Sequence, residues 1–190
     1  MAITEGKLTF YFPKDCTAIK FDECQFYRKY FNALTYSKGV DIIALSSNAV
    51  TLIEIKDFRG YESKNQNRIK TDYINYTNNQ YEESLDIEVS LKATMTIACL
   101  YGVFSESKKC NAANELMIYY NAFKSEKIPS CTQAINIVLF LEGQFKIQTR
   151  PKKAIMTALQ SSIKKKLKWL NCNVVVVDSN TYPQRLFQVK

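Results

Sequence analysis

Apolar and polar positions divide the chain into short segments of recognisable period. LTFYFP at 8–13 and TAIKF at 17–21 read as strands, and residues 22–34 (DECQFYRKYFNAL) read as a helix with Asp22 as a candidate N-cap. After Gly39 come two apolar runs, VDIIAL at 40–45 and AVTLIEIKDF at 49–58, separated by Ser46, Ser47 and Asn48. That pattern predicts a β-hairpin. Residues 59–84 break it with Asn, Gln, Tyr and mixed charge, a polar excursion exposed to solvent. A helix is predicted over about 84–104, followed by weaker helical character over 105–127. INIVLFLE at 135–142 and NVVVVD at 173–178 are near-continuous apolar runs, as strands buried on both faces require. Between them Pro151 opens a segment in which Ile155, Met156, Leu159, Ile163, Leu167 and Leu170 recur at helical spacing, predicting a helix from about 151 to 170. The order predicts one α/β domain over residues 1–190, a central sheet flanked by helices on both faces.

Composition then narrows the chemistry. The 190 residues include no histidine, which excludes Ser-His-Asp and Cys-His nucleophilic sites, His-ligated zinc and histidine general bases. The six cysteines form no CxxC pair and no metal-ligand spacing, which argues against zinc. MAITEGKLTF lacks a basic region followed by an apolar stretch, so no signal peptide is expected. No apolar segment reads as reaching the roughly 18–20 residues of a membrane span, and a cytoplasmic protein with reduced thiols is expected.

Charge is unevenly placed. The formal net charge is +8, and residues 145–190 hold ten Lys or Arg against one acid, Asp178. Lys153, Lys164 and Lys168 share the face of the basic helix opposite its apolar stripe. That surface suits a polyanion such as nucleic acid, the alternative being a solvated face that only aids solubility. In the excursion, Arg59, Lys64, Arg68 and Lys70 interleave with Tyr61, Tyr73, Tyr76 and Tyr81, a composition that suits phosphate contacts and base stacking, while the acids Glu62, Asp72, Glu82 and Glu83 dilute it and leave a solvated insertion as the alternative.

The hairpin carries the candidate chemistry. Asp41, Glu54 and Lys56 interrupt two runs that are otherwise apolar, where charges are rare unless paired. If Ser47 and Asn48 form a two-residue turn, paired residue numbers sum to 95 and Asp41 lies opposite Glu54, their Cβ atoms roughly 4.5–5.5 Å apart. Lys56 shares Glu54's face because side chains alternate along a strand. Two opposed carboxylates repel unless a cation or proton lies between them, and Mg²⁺ binds through one or two carboxylates plus waters and phosphate oxygens. Glu-x-Lys alone is uninformative, since it occurs four times. Only Glu54 to Lys56 lies in an apolar strand with an acid at the right distance on the preceding one. An edge hairpin whose charges face water is the alternative.

Asp41, twelve residues, then Glu54-Ile55-Lys56, with a helix before and a helix after, resembles the PD-(D/E)XK nuclease superfamily over roughly residues 22–104, with spacing closest to archaeal Holliday-junction resolvases. The resemblance implies a restriction-endonuclease-like mixed sheet and metal-dependent hydrolysis of phosphodiesters, DNA more than RNA. It implies Mg²⁺ or Mn²⁺ held by Asp41, Glu54 and the Ile55 carbonyl, and Lys56 as catalytic lysine. Glu23 is the position matching a first-helix glutamate of the resolvase-like branch. The chain departs from the pattern in having Val40 before the aspartate and no QxxxY after the Glu-x-Lys strand; Lys92, on the apolar side of the 84–104 helix, is the residue that could point at the same site. A homodimer would suit paired cuts on two strands. Two other readings are a catalytically idle subunit that binds nucleic acid or an assembly, and an α/β protein whose partner is another protein.

Overall fold

The apolar runs on either side of Ser47-Asn48 form the hairpin at the centre of the molecule. The computed structural model describes residues 1–77, 80–108 and 110–190; residues 78 and 79 of the predicted excursion, and 109 of the predicted 105–127 stretch, lie outside the described residues. In chain order the elements are β1 (Ala2–Glu5), β2 (Leu8–Tyr11), β3 (Thr17–Lys20), α1 (Gln25–Lys29), β4 (Ile42–Leu45), β5 (Ala49–Asp57), β6 (Ile74–Thr77), β7 (Gln80–Glu83), α2 (Leu85–Glu106), α3 (Met117–Lys124), β8 (Ala134–Glu142), α4 (Lys152–Lys166), β9 (Asn173–Val177) and β10 (Gln188–Val189).

The main sheet is mixed, in the order β3-β4-β5-β8-β9. β3, β4 and β5 run antiparallel, and β5, β8 and β9 are parallel neighbours. The β4–β5 register pairs Ile42 with Ile53 and Leu45 with Val50, and Ser46 N–H donates to the Ala49 carbonyl at 2.9 Å, so the turn is the two residues Ser47-Asn48.

Helices α1 to α4 pack on one face of this sheet, where Ile43, Val50, Leu52, Ile137 and Leu139 meet Phe26, Val89, Tyr119 and Leu159. This corrects the expectation of helices on both faces. The chain steps from β5 to β8 to β9 without reversing direction in the sheet, and right-handed crossovers made in one direction leave their helices on one side. The opposite face, with Ile42, Ile53, Ile55, Val138 and Phe140, is covered by a small sheet of order β1-β2-β10 and the segment before β10. Phe10 packs edge-on against Phe140 and Phe187, ring centroids 5.1 and 5.3 Å apart. β10, two residues long, is too short for its pattern to announce it, and β1 (AITE) has only one buried residue, Ile3.

Four further details depart from the sequence reading. The 22–34 segment gives only α1 and a 3₁₀ turn at Phe31–Ala33, and the N-cap of α1 is Cys24, not Asp22. The excursion contains the β6–β7 hairpin and a 3₁₀ turn at Glu62–Asn65. The basic helix ends at Lys166. Finally, α2 is 22 residues long and, by length and composition alone, apolar enough to cross a membrane. Here it is a core helix: Leu85, Val89, Ala93, Leu100 and Val103 are buried against the sheet, and Asp86 and Glu88 are buried in ion pairs.

Candidate functional site

Asp41 stands at the entrance to β4, on a segment tied down at several backbone points. Its carbonyl accepts the Phe21 N–H at 2.8 Å, and the N–H groups of Val40 and Lys38 donate to Thr96 Oγ1 (3.1 Å) and Met95 Sδ (3.2 Å) on α2. Extending the β4–β5 register by one step sets Asp41 opposite Glu54 on the helix-covered face. Asp41 Oδ2 accepts the Ile55 backbone N–H at 2.6 Å. N–H and C=O of one strand residue point to the same side, so the Ile55 carbonyl also faces the edge where Asp41 sits.

α2 lies across this end of β5 and completes the cluster. Lys92 Nζ reaches Glu54 Oε1 at 2.7 Å and Asp41 Oδ1 at 3.4 Å. Lys56 Nζ reaches the same Glu54 oxygen at 2.7 Å and Glu88 Oε1 at 2.9 Å, and the other Glu88 oxygen pairs with Arg68. Glu88 and Lys92 are one helical turn apart, so a single face of α2 delivers both. Three carboxylates and three cations therefore form one partly dry network. Glu54 Oε2 is left buried with no hydrogen-bond partner among the described residues.

Electrostatics separates the two glutamates. Burial, with help from the Asp41 charge, outweighs both lysines at Glu54 and pushes its pKa up to about 7. Glu88 resists the same burial because Lys56 and Arg68 face it, and it is held down at about 2. Burial works against the charge on Lys56 and Lys92, but the surrounding carboxylates overcome it and hold both ammoniums above their ordinary range.

The structure thus brings Asp41, Glu54, Lys56 and Lys92 together, and adds Glu88 and Arg68. Arg68, read from the sequence as a phosphate contact, is turned inward to Glu88, with its guanidinium over the Phe58 ring. Glu88 was missed, although its position four residues before Lys92 on a predicted helix was the available signal. Glu23 does not join the site: it is exposed and pairs with Lys20 at 2.6 Å. Its neighbour Asp22 is the acid on that side. Asp22 Oδ1 is buried without a partner among the described residues, and burial followed by the nearby Asp41 and Glu5 charges raises its pKa.

The remaining candidate contacts lie on the surface. Arg59 is held by Asp57 at 2.6–2.7 Å, and Lys64 lies over the Tyr61 ring. Lys153, Lys164 and Lys168 are exposed along and just past α4. The last turn of that helix is fixed to the start of α2, since Lys166 and Ser162 both bond Asp86. Among the described residues no three His, Cys, Asp or Glu side chains converge as a metal-binding group.

Comparison with known proteins gives one result. Residues 24–190 match the model of a family of unknown function, DUF6661, and the chain belongs to that family. No curated protein and no solved structure matches it.

Proposed function

We propose that this member of the DUF6661 family is a metal-dependent nuclease of restriction-endonuclease-like fold that hydrolyses phosphodiester bonds, DNA being its substrate before RNA. The observation that carries the reading is the convergence of Asp41, Glu54 and Lys56 with Lys92 at one end of β5. The donor set fits Mg²⁺ or Mn²⁺. Two opposed carboxylates, the bare buried Oε2 of Glu54 and the carbonyl edge of Ile55 are what such an ion needs beside water and phosphate oxygens. Asp41, Glu54 and Ile55 would hold it. When bound, the ion supplies Lewis-acid polarisation of a phosphoryl oxygen.

The chain's own residues do the rest. Lys56 is fixed between Glu54 and Glu88 and presents its ammonium where charge grows on a cleaved phosphate. Glu88 and Arg68 act as positioning residues, keeping Lys56 charged and oriented. Exposed Lys153, Lys164 and Lys168 would take the flanking phosphates. Six free thiols suit a reducing compartment, and cytoplasmic residence belongs to the same proposal.

A second reading is favoured by one observation: the Lys92 ammonium bridges Asp41 and Glu54, where a cation would otherwise relieve their repulsion. On that reading the protein is an idle nuclease-like subunit that binds nucleic acid without cutting it.

The test is a Mg²⁺- and Mn²⁺-dependent cleavage assay on linear, supercoiled, single-stranded and four-way-junction DNA. Wild type is expected to cut, and Asp41→Ala, Glu54→Ala and Lys56→Ala each to lose cutting. Full activity in Asp41→Ala sinks the nuclease reading, and binding without cutting on every substrate favours the idle one.

A further inference from the structure

The face of α2 that delivers Glu88 and Lys92 also carries Leu91 and Met95, and these two side chains floor a groove of about 380 Å³. Its walls are tyrosine. Tyr36 comes from the segment leading to Asp41, and Tyr76 and Tyr81 are cross-strand partners on β6 and β7, so they share one face of that hairpin. The three residues are 78%, 65% and 48% exposed, and Lys38 covers one face of the Tyr81 ring. Lys38 stands at the rim, with its backbone on Met95, its ammonium on Glu83 and 5.8 Å from the centre of the Tyr81 ring. Burial lowers the Lys38 pKa, and Glu88, Lys92 and Lys56 are the next charges it feels, so rim and site lie within electrostatic reach of each other.

We propose that this groove takes an unstacked base of a DNA strand next to the scissile phosphate, so that the substrate class is DNA with an unpaired segment and not continuous duplex. The inference rests on the nuclease reading above. Aromatic walls accept any base by stacking, because every base has a π-face, while a paired base must first leave its stack to enter. Of the groove's polar groups, Lys38 and the Tyr81 hydroxyl are already bonded to Glu83, which leaves little to read base edges, so it selects unpaired structure without selecting sequence. Phosphates beside the stacked base would meet Lys38 at the rim and Lys56 and Lys92 at the site. Each of these ammoniums is already paired with a carboxylate, Lys38 with Glu83, Lys56 with Glu54 and Glu88, and Lys92 with Glu54 and Asp41, so a phosphate would compete for them along the path of one strand.

The experiment measures equilibrium binding of the full chain, without divalent ions, to a duplex and to the same duplex with an unpaired flap carrying 2-aminopurine. The flapped DNA is expected to bind tighter with its fluorescence quenched. Tyr76→Ala should lower that preference about five- to a hundredfold, as loss of one base–aromatic stack does, and Tyr76→Phe should keep it. Equal affinity for both DNAs, indifferent to Tyr76→Ala and Tyr36→Ala, overturns the groove assignment and leaves the nuclease reading standing. No binding to either DNA overturns both. A dimer in light scattering that Tyr76→Ala dissolves, with the preference for flapped DNA unchanged, assigns the groove to a second copy of the chain and also overturns the proposal.

Discussion

Glu54 and Glu88 share the Lys56 ammonium but titrate at opposite ends of the scale, and pH acts on them with opposite sign. Glu54 has its folded pKa raised from an ordinary 4.5 to about 7, so the folded state binds the extra proton between those values. Its contribution to stability is present below pH 4.5 and is lost as pH rises through 7. Glu88 is lowered to about 2, so its contribution is present above pH 4.5 and lost as pH falls toward 2. Urea unfolding across this range should show Glu54→Gln flattening the slope between pH 4.5 and 7. Glu88→Gln is expected to destabilise the protein at pH 7 by about 3 kcal/mol, because it strands Arg68 and leaves Lys56 with Glu54 alone in a partly dry site. If Glu54 must be ionised to work, cleavage should rise with pH through about 7.

At the scale of elements, the site depends on how the 38–41 segment enters β4. Gly39 is the tightest point: a Cβ there would meet the Phe21 ring at 2.8 Å and Tyr27 at 3.0 Å, with α1 and the strand end behind them. Gly39→Ala should cost about 1–3 kcal/mol in a thermal or urea melt and displace Asp41, so that cleavage falls with the melting temperature. Unchanged stability would show that the aromatic pair can give way. The hairpin itself was legible in the sequence. Two apolar runs and a short polar break read as a two-residue turn set its register, so Asp41, Glu54 and Lys56 share a face for a reason visible in the residues. Lys92 was legible from helical spacing alone. Asp22 in place of Glu23 was not, because Asp22 itself read as the N-cap while α1 begins at Gln25, so both acids precede the helix. Nor was Arg68 turning inward, since it requires knowing that the excursion folds back onto α2.

The whole molecule decides where DNA would lie. Lys164, Lys165 and Lys168 cluster at the end of α4 that Lys166 and Ser162 fasten to the first turn of α2, two residues from Glu88. Removing one phosphate-binding cation should reduce the slope of log affinity against log salt by about 0.9 for duplex DNA. Lys164→Ala and Lys168→Ala should each show that change in a salt titration, and an unaltered slope would make them ordinary solvated lysines. The one-sided placement of the helices was not legible in the sequence, because it follows from strand order, which no local pattern encodes. It leaves the other face to be closed by both ends of the described chain. Met1 bonds to Phe12 and Lys190 to Thr9, so the two ends flank the same short strand. β10 is thus a clasp: pairing Gln188 with Tyr11 and Val189 with Phe10 closes a loop that contains the whole main sheet, at an entropic cost that grows only logarithmically with the loop's length.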